Sequence, residues 1–359
     1  MKKNTFRIFD YTGAIIAYLI GSGLASGQEI IQFFSSFGLV KSALAGLIML
    51  LLFCFFTSVT IETGRTKQIS DANKIYEVYC GKYIGALFGW LTPLILFSIY
   101  IVMISGAGTL LSEYFFLPNR IGRLIMLVLS LGTVLSGFEK LVNVIAKIGH
   151  IIILIIVVLS IYSIVRTAEW TPAFSEHIGT YGLKQASRFW FLSGINYATF
   201  CALTLYPFLA ELGGKMKSKK EAVWTGLLSS FVFFAIAMLI NYSLLGNISH
   251  LFNKEMPLVF IADSVFPKAG LLYSIILYSG IYTTAVPMLW TACNKIAPDD
   301  SSVKFKVSAS VLALSAYFIG RLPFSVLINF IYPYIGYIGL FVFICLSISV
   351  IKRLLKHAA

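Results

Sequence analysis

The sequence predicts an all-α polytopic membrane protein of about ten transmembrane helices. Three observations carry this. Of the 359 residues, 58% are hydrophobic. Only 12% are charged, against roughly 25% in a soluble domain. Apolar runs long enough to cross a bilayer, which needs roughly 20 residues, recur from one end of the chain to the other.

The runs fall at 8–36, 39–62, 84–116, 121–138, 142–166, 188–211, 221–246, 269–292, 306–321 and 323–351. The third and last exceed one bilayer thickness, so they tilt or project beyond it. Met1-Lys2-Lys3 opens the first run like a signal peptide. The run is long, lacks a small-residue cleavage site and is interrupted by Gly and Ser, so it reads as a retained span.

Charge sets the orientation. Placing both termini in the cytoplasm puts nineteen of the 28 Lys and Arg inside, and the bias alternates at nearly every loop. The net charge of +13 does not point to nucleic acid, because the basic residues lie in short clusters between apolar spans. The expected location is the cell membrane, with the lipid bilayer and a small-molecule substrate as partners.

The most informative stretch is Gly21-Ser22-Gly23-Leu24-Ala25-Ser26-Gly27-Gln28-Glu29, in the middle of the first span. Every backbone N–H and C=O within a bilayer must be satisfied. Three glycines and two serines in seven residues weaken the helix at mid-depth. An opened turn there exposes groups that hold a polar solute or an ion, the pattern of a secondary transporter.

Ten spans divide into halves of five, 1–166 and 188–351, which enter the membrane from opposite sides as an inverted repeat. Residues 167–187 form an extracellular linker, and 352–359 a cytoplasmic tail. The repeat predicts a second break in the sixth span, where Ser193, Gly194 and Asn196 precede Pro207. Segment 257–266 reads either as a short helix lying on the outer surface or as a plain connector.

This pattern resembles the amino acid–polyamine–organocation superfamily, which shares the LeuT fold with discontinuous helices 1 and 6. The longer string from Gly21 to Glu29 is similar to the YkvI-like bacterial membrane proteins within that group. The resemblance implies that Gly21, Ser22, Gly23 and Leu24 supply free N–H groups to a substrate carboxylate, as a half-helix N-terminus does. It implies that Ser193, Gly194 and Asn196 receive the substrate amine, that Tyr197 or Phe200 closes over the ligand, and that Tyr100 bonds its carboxylate. For each polar residue helix packing is the competing role.

The resemblance also implies a coupling sodium ion between Ala17, Ile20, Gly280, Thr283 and Thr284. A small residue followed by two hydroxyls three and four positions on places one carbonyl and two hydroxyls on a single face. A hydroxyl bonding back to its own helix is the alternative. Proton coupling through Lys147 or His150 is a second alternative. Glu29 is a functional candidate because intramembrane carboxylates are costly. It lies six residues outward from Gly23, about 9 Å at helical rise. The expectation is an outer gate in which Glu29 pairs with Arg321, with Gln28 nearby.

Enzyme chemistry finds little support. There is no HExxH pair and no P-loop, and Ala25 breaks the Gly-x-Ser-Gly pattern of an intramembrane serine protease. Cys54, Cys80, Cys201, Cys293 and Cys345 form no CxxC pair or zinc spacing. No cofactor is expected. The functional expectation is a cation-coupled transporter of a small zwitterion such as an amino acid. A non-transporting ligand sensor of the germinant-receptor permease type and a passive channel are the alternatives.

Overall fold

The computed structural model describes residues 2–69, 72–136, 142–166, 178–265 and 268–358. Among them the chain is helical, with no strand. The first span consists of three pieces, α1 (Lys2–Leu19), α2 (Ser22–Ser26) and α3 (Gln28–Phe33). Then follow α4 (Gly38–Lys67), the short α5 (Ile75–Cys80), α6 (Lys82–Phe115), α7 (Asn119–Leu135) and α8 (Val142–Arg166). The second half holds α9 (Trp190–Gly214), α10 (Lys219–Leu245), two short helices α11 (Ile248–Leu251) and α12 (Pro257–Val265), then α13 (Ala269–Ile296), α14 (Val303–Ile319) and α15 (Phe324–Ala358). Each expected apolar run coincides with a helix. Five segments meet a strict length and hydropathy requirement for crossing a membrane: 28–67, 82–115, 219–245, 269–296 and 324–355.

The helices are apolar around much of their circumference, as bundle helices in lipid are. Lipid gives no hydrophobic drive between helices, so close backbone approach holds them together. The α4–α9 pair shows this. A side chain at Gly194 would strike the Ala45 carbonyl, and one at Gly213 would strike that of Ile61.

The first break is present. Ile20 and Gly21 leave the helix, and Gly21 is extended, with φ −99° and ψ −173°. A second bend follows at Gly27, whose φ of 87° lies in the left-handed region that glycine enters freely. Pro257 and Leu258 of α12 pack directly over Gly27. Segment 257–265 is thus helical, but with Pro257, Leu258, Val259, Ile261 and Ala262 buried it is packed into the bundle rather than laid on its surface.

The second break is absent. Helix α9 runs from Trp190 to Gly214 without interruption, which corrects the expectation at Ser193–Asn196. The polar side chains there reach across to other helices and leave their own backbone intact. Ser193 Oγ donates to Phe33 O at 2.7 Å, and Asn196 Nδ2 to Pro333 O at 3.0 Å. Pro207 lacks the N–H that would bond Leu203 O. The Tyr76 hydroxyl donates to that carbonyl at 2.6 Å and satisfies it.

Candidate functional site

The broken turn frees backbone groups on both of its sides. The Gly21 amide turns back to Leu19 O at 3.0 Å instead of bonding Ala17 O. The first helical bond beyond the break runs from Ala25 N to Gly21 O at 3.0 Å. The carbonyls of Ala17 and Ile20 and the amides of Gly23 and Leu24 are therefore outside the helical ladder. Gly21 faces a cavity of about 50 Å³ between the first span, α6, α9, α13 and α15. Such a volume holds a few water molecules.

Glu29 lines the same cavity, which corrects its expected place in an outer vestibule. Straight-helix geometry would carry it outward. The left-handed residue Gly27 redirects the chain, and the Glu29 carboxylate folds back over Gly23, where a Cβ would overlap Oε2. The residue is 5% exposed. Its Oε1 accepts a 2.5 Å hydrogen bond from the Tyr197 hydroxyl of α9. No donor among the described residues reaches Oε2, and none of their ion pairs includes Glu29.

Position in the first turn of α3 gives the carboxylate a favourable dipole interaction of about 0.3–1 kcal/mol. Burying an ion costs several kcal/mol. The dipole and one hydroxyl do not offset that cost.

Aromatic rings close the cavity. Phe200 stacks on Tyr332 of α15 with centroids 4.4 Å apart, and both rings line the space. On the N-terminal side Tyr18 donates to Thr204 O at 3.0 Å and stacks on Phe208. Further out on that side, Arg7 lies 3.3 Å from the buried Glu221 and donates to Lys215 O.

The opposite side is sealed by a polar cluster. Lys184 Nζ donates to Ser325 Oγ at 2.8 Å, and Ser325 Oγ donates to Glu255 Oε1 at 2.9 Å. Gln32 Nε2 donates to Ser325 O at 2.9 Å. Glu113 at the end of α6 accepts the amides of Glu255 and Met256. The cluster borders a hollow of about 210 Å³ that Gln28 also lines. The buried Gln28 Oε1 has no hydrogen-bond partner among the described residues.

The remaining expected residues divide clearly. Gly21 and Phe200 line the cavity, Gly23 and Tyr197 lie against the Glu29 carboxylate, and Leu24 is buried. Ser193, Gly194 and Asn196 do not reach it. They serve the contacts of α9 with α3, α4 and α15. Tyr100 also points elsewhere, its hydroxyl 2.8 Å from Ser130 Oγ of α7. Arg321 is exposed, with its guanidinium over the Phe318 ring at 4.8 Å. A Glu29–Arg321 gate is thus not formed, because Glu29 is turned inward to Tyr197.

Thr283 and Thr284 both donate to Gly280 O, at 2.9 and 3.1 Å. Each hydroxyl keeps lone pairs for a cation. Thr284 lines the cavity, with its methyl group facing Gly21. The side chains of Ser22, Lys147 and His150 lie outside the described residues.

Tyr18, Thr204, Tyr332 and the Lys184–Ser325–Glu255 cluster were not apparent from the sequence. Tyrosine is too common here to stand out, with 19 in the chain. Glu113, an acid at the end of a long apolar run, was the one legible signal for the polar cluster around Ser325.

No protein-family model matches the chain. Two proteins of Bacillus subtilis (strain 168) are similar along nearly its whole length. The uncharacterized protein YyaD is 26% identical over 332 residues, covering 92% of this chain and 94% of the relative. The uncharacterized membrane protein YkvI is 24% identical over 340 residues, covering 92% of each. Among solved structures, MhsT in complex with L-phenylalanine matches with a TM-score of 0.63 and 14% identity, over 93% of this chain and 87% of the other. A manganese transporter from Eremococcus coleocola matches with a TM-score of 0.57 and 16% identity, over 96% and 77%. Helix order, the broken first span and these matches agree: the chain is similar to the membrane protein YkvI along nearly its whole length and is built on the LeuT-type fold.

Proposed function

We propose that the chain is a cation-coupled secondary transporter of a small zwitterionic solute such as an amino acid. The observation that carries this is the opened turn at Ile20–Gly21, which leaves backbone groups outside the helical ladder beside a central cavity that Gly21 lines. A helix that served only to span lipid would have no such turn. The two solved neighbours, one holding L-phenylalanine and one a manganese transporter, favour transport as the use of this architecture.

In this reading the amides after Gly21 receive the solute carboxylate. Sodium is the favoured coupling ion, held by the Ala17 and Ile20 carbonyls with Thr283 and Thr284. The N-terminal side faces the cytoplasm, in keeping with its excess of Lys and Arg. The present cavity is smaller than an amino acid, so loading requires the Phe200–Tyr332 stack to separate. Alternation follows if solute and cation bind the outward and inward states with different affinities.

The test is a thermal-shift screen of the twenty amino acids on purified protein, with sodium or choline as the cation. A ligand that binds only the folded state raises the melting temperature. Stabilisation by a subset of amino acids, enlarged by sodium, is expected. No stabilisation by any of them would overturn the amino-acid assignment.

A further inference from the structure

We propose that Glu29 is the charge-bearing ligand of the central site, and that its free Oε2 takes a monovalent cationic centre. This deepens the transporter reading and rests on the same cavity, but it does not require flux.

Four observations converge on it. Glu29 is nine-tenths buried, at a depth where a carboxylate without a partner is not tolerated. One oxygen is held by Tyr197, and no donor among the described residues reaches the other. Gly23, by lacking a side chain, leaves room for that oxygen. Among the described residues no lysine, arginine or histidine lines the cavity. Its titratable neighbours are Tyr18 from α1, Tyr197 and Cys201 from α9, and Tyr332 from α15. The walls from α6 and α13 contribute Ile99, Met103, Thr284 and Met288, none of them charged. The freed carbonyls of Ala17 and Ile20 add further negative partial charge beside the break.

The chemistry is that of a fixed anion awaiting a single positive charge. Three sources fit it: a sodium ion, a proton on the carboxylate, and the ammonium group of a solute. A divalent ion is disfavoured, because the described residues hold no cluster of three metal-ligating side chains.

Infrared difference spectroscopy on the full chain in lipid separates the three. The exchanges are choline to sodium at fixed pH, pH 8 to pH 5 in choline, and choline to ethylammonium. At least one exchange is expected to change a carboxyl band that Glu29→Gln removes. A sodium or ammonium ion, where responsible, should bind Glu29→Gln at least about tenfold more weakly, as loss of the carboxylate charge at the contact implies; a proton signal should vanish in Glu29→Gln altogether. Tyr197→Phe should retain the band and shift its position. Should Glu29→Gln fold poorly, Glu29→Asp, which keeps the charge, must keep the band. Identical difference spectra for the wild type and Glu29→Gln in all three exchanges would overturn the proposal. A Glu29-dependent signal without transport would leave this site standing and remove the transporter reading instead.

Discussion

The Tyr197 hydroxyl meets the Glu29 carboxylate at 2.5 Å, tying the middle of α9 to the short helix that follows the broken turn. This bond joins the one discontinuous span among the described residues to an unbroken helix of the opposite half. Any movement of α3 relative to α9 must break it. It therefore reports on the closed arrangement, and several outcomes follow from it.

Tyr197→Phe removes the only donor that the described residues give the buried Glu29 carboxylate. Leaving such a group unsatisfied costs about 1–3 kcal/mol, more for a charged one. A thermal melt should show lower stability in the absence of ligand. Unchanged stability would mean that the bond is not formed in the membrane.

Gly23→Ala places a methyl group where Glu29 Oε2 lies, within 3.2 Å of the Tyr332 ring. Overpacking of this kind costs about 1–3 kcal/mol. Ligand stabilisation should be lost along with basal stability. Gly194→Ala is the control. Its new methyl meets the Ala45 backbone, so stability should fall by a similar amount while any ligand response of the remaining folded protein persists.

The Lys184–Ser325–Glu255 cluster bridges the linker before α9, the segment before α12 and the start of α15. Glu255→Gln should loosen that seal. A cysteine placed at Gln28 in a cysteine-free background should then react faster with a membrane-impermeant thiol reagent added outside. Equal labelling rates with and without Glu255→Gln would show that the cluster does not restrict access.

On the opposite side, Arg7 neutralises Glu221, whose side chain is 1% exposed. Arg7→Ala should raise inner-side accessibility of a cysteine at Tyr18 and lower stability. The effect on stability should be smaller than the 3–5 kcal/mol of a fully buried pair, because Arg7 is 26% exposed and Glu221 keeps the Lys217 amide as donor. A double substitution with Glu221→Gln should recover part of the loss.

Much of this architecture was legible in the sequence, because lipid imposes a simple rule. Apolar runs of sufficient length become helices, and the observed helices follow the expected runs closely. The first break was legible because three glycines and two serines fall within seven residues, which weakens a helix. The second expectation failed at Ser193, Gly194 and Asn196, where the same residue types serve close packing against Phe33, Ala45 and Pro333. Composition alone does not separate a small-residue contact from an opened turn.

Glu29 shows the other limit. Its importance followed from its charge, but its location depended on one dihedral angle, the φ of 87° at Gly27. A helical extrapolation carried it outward to Arg321. The left-handed bend returned it to Tyr197. The outer cluster was hidden because its members are separated by 70 residues or more in sequence.

The most direct test is uptake into proteoliposomes. Protein is reconstituted with a sodium gradient directed inward, and accumulation of the amino acid that stabilises it is followed over time. Concentration inside above that outside, abolished by Glu29→Gln and by collapsing the gradient, is the predicted result. Equilibration that stops at equal concentrations, or binding with no flux, would contradict coupled transport through the opened turn.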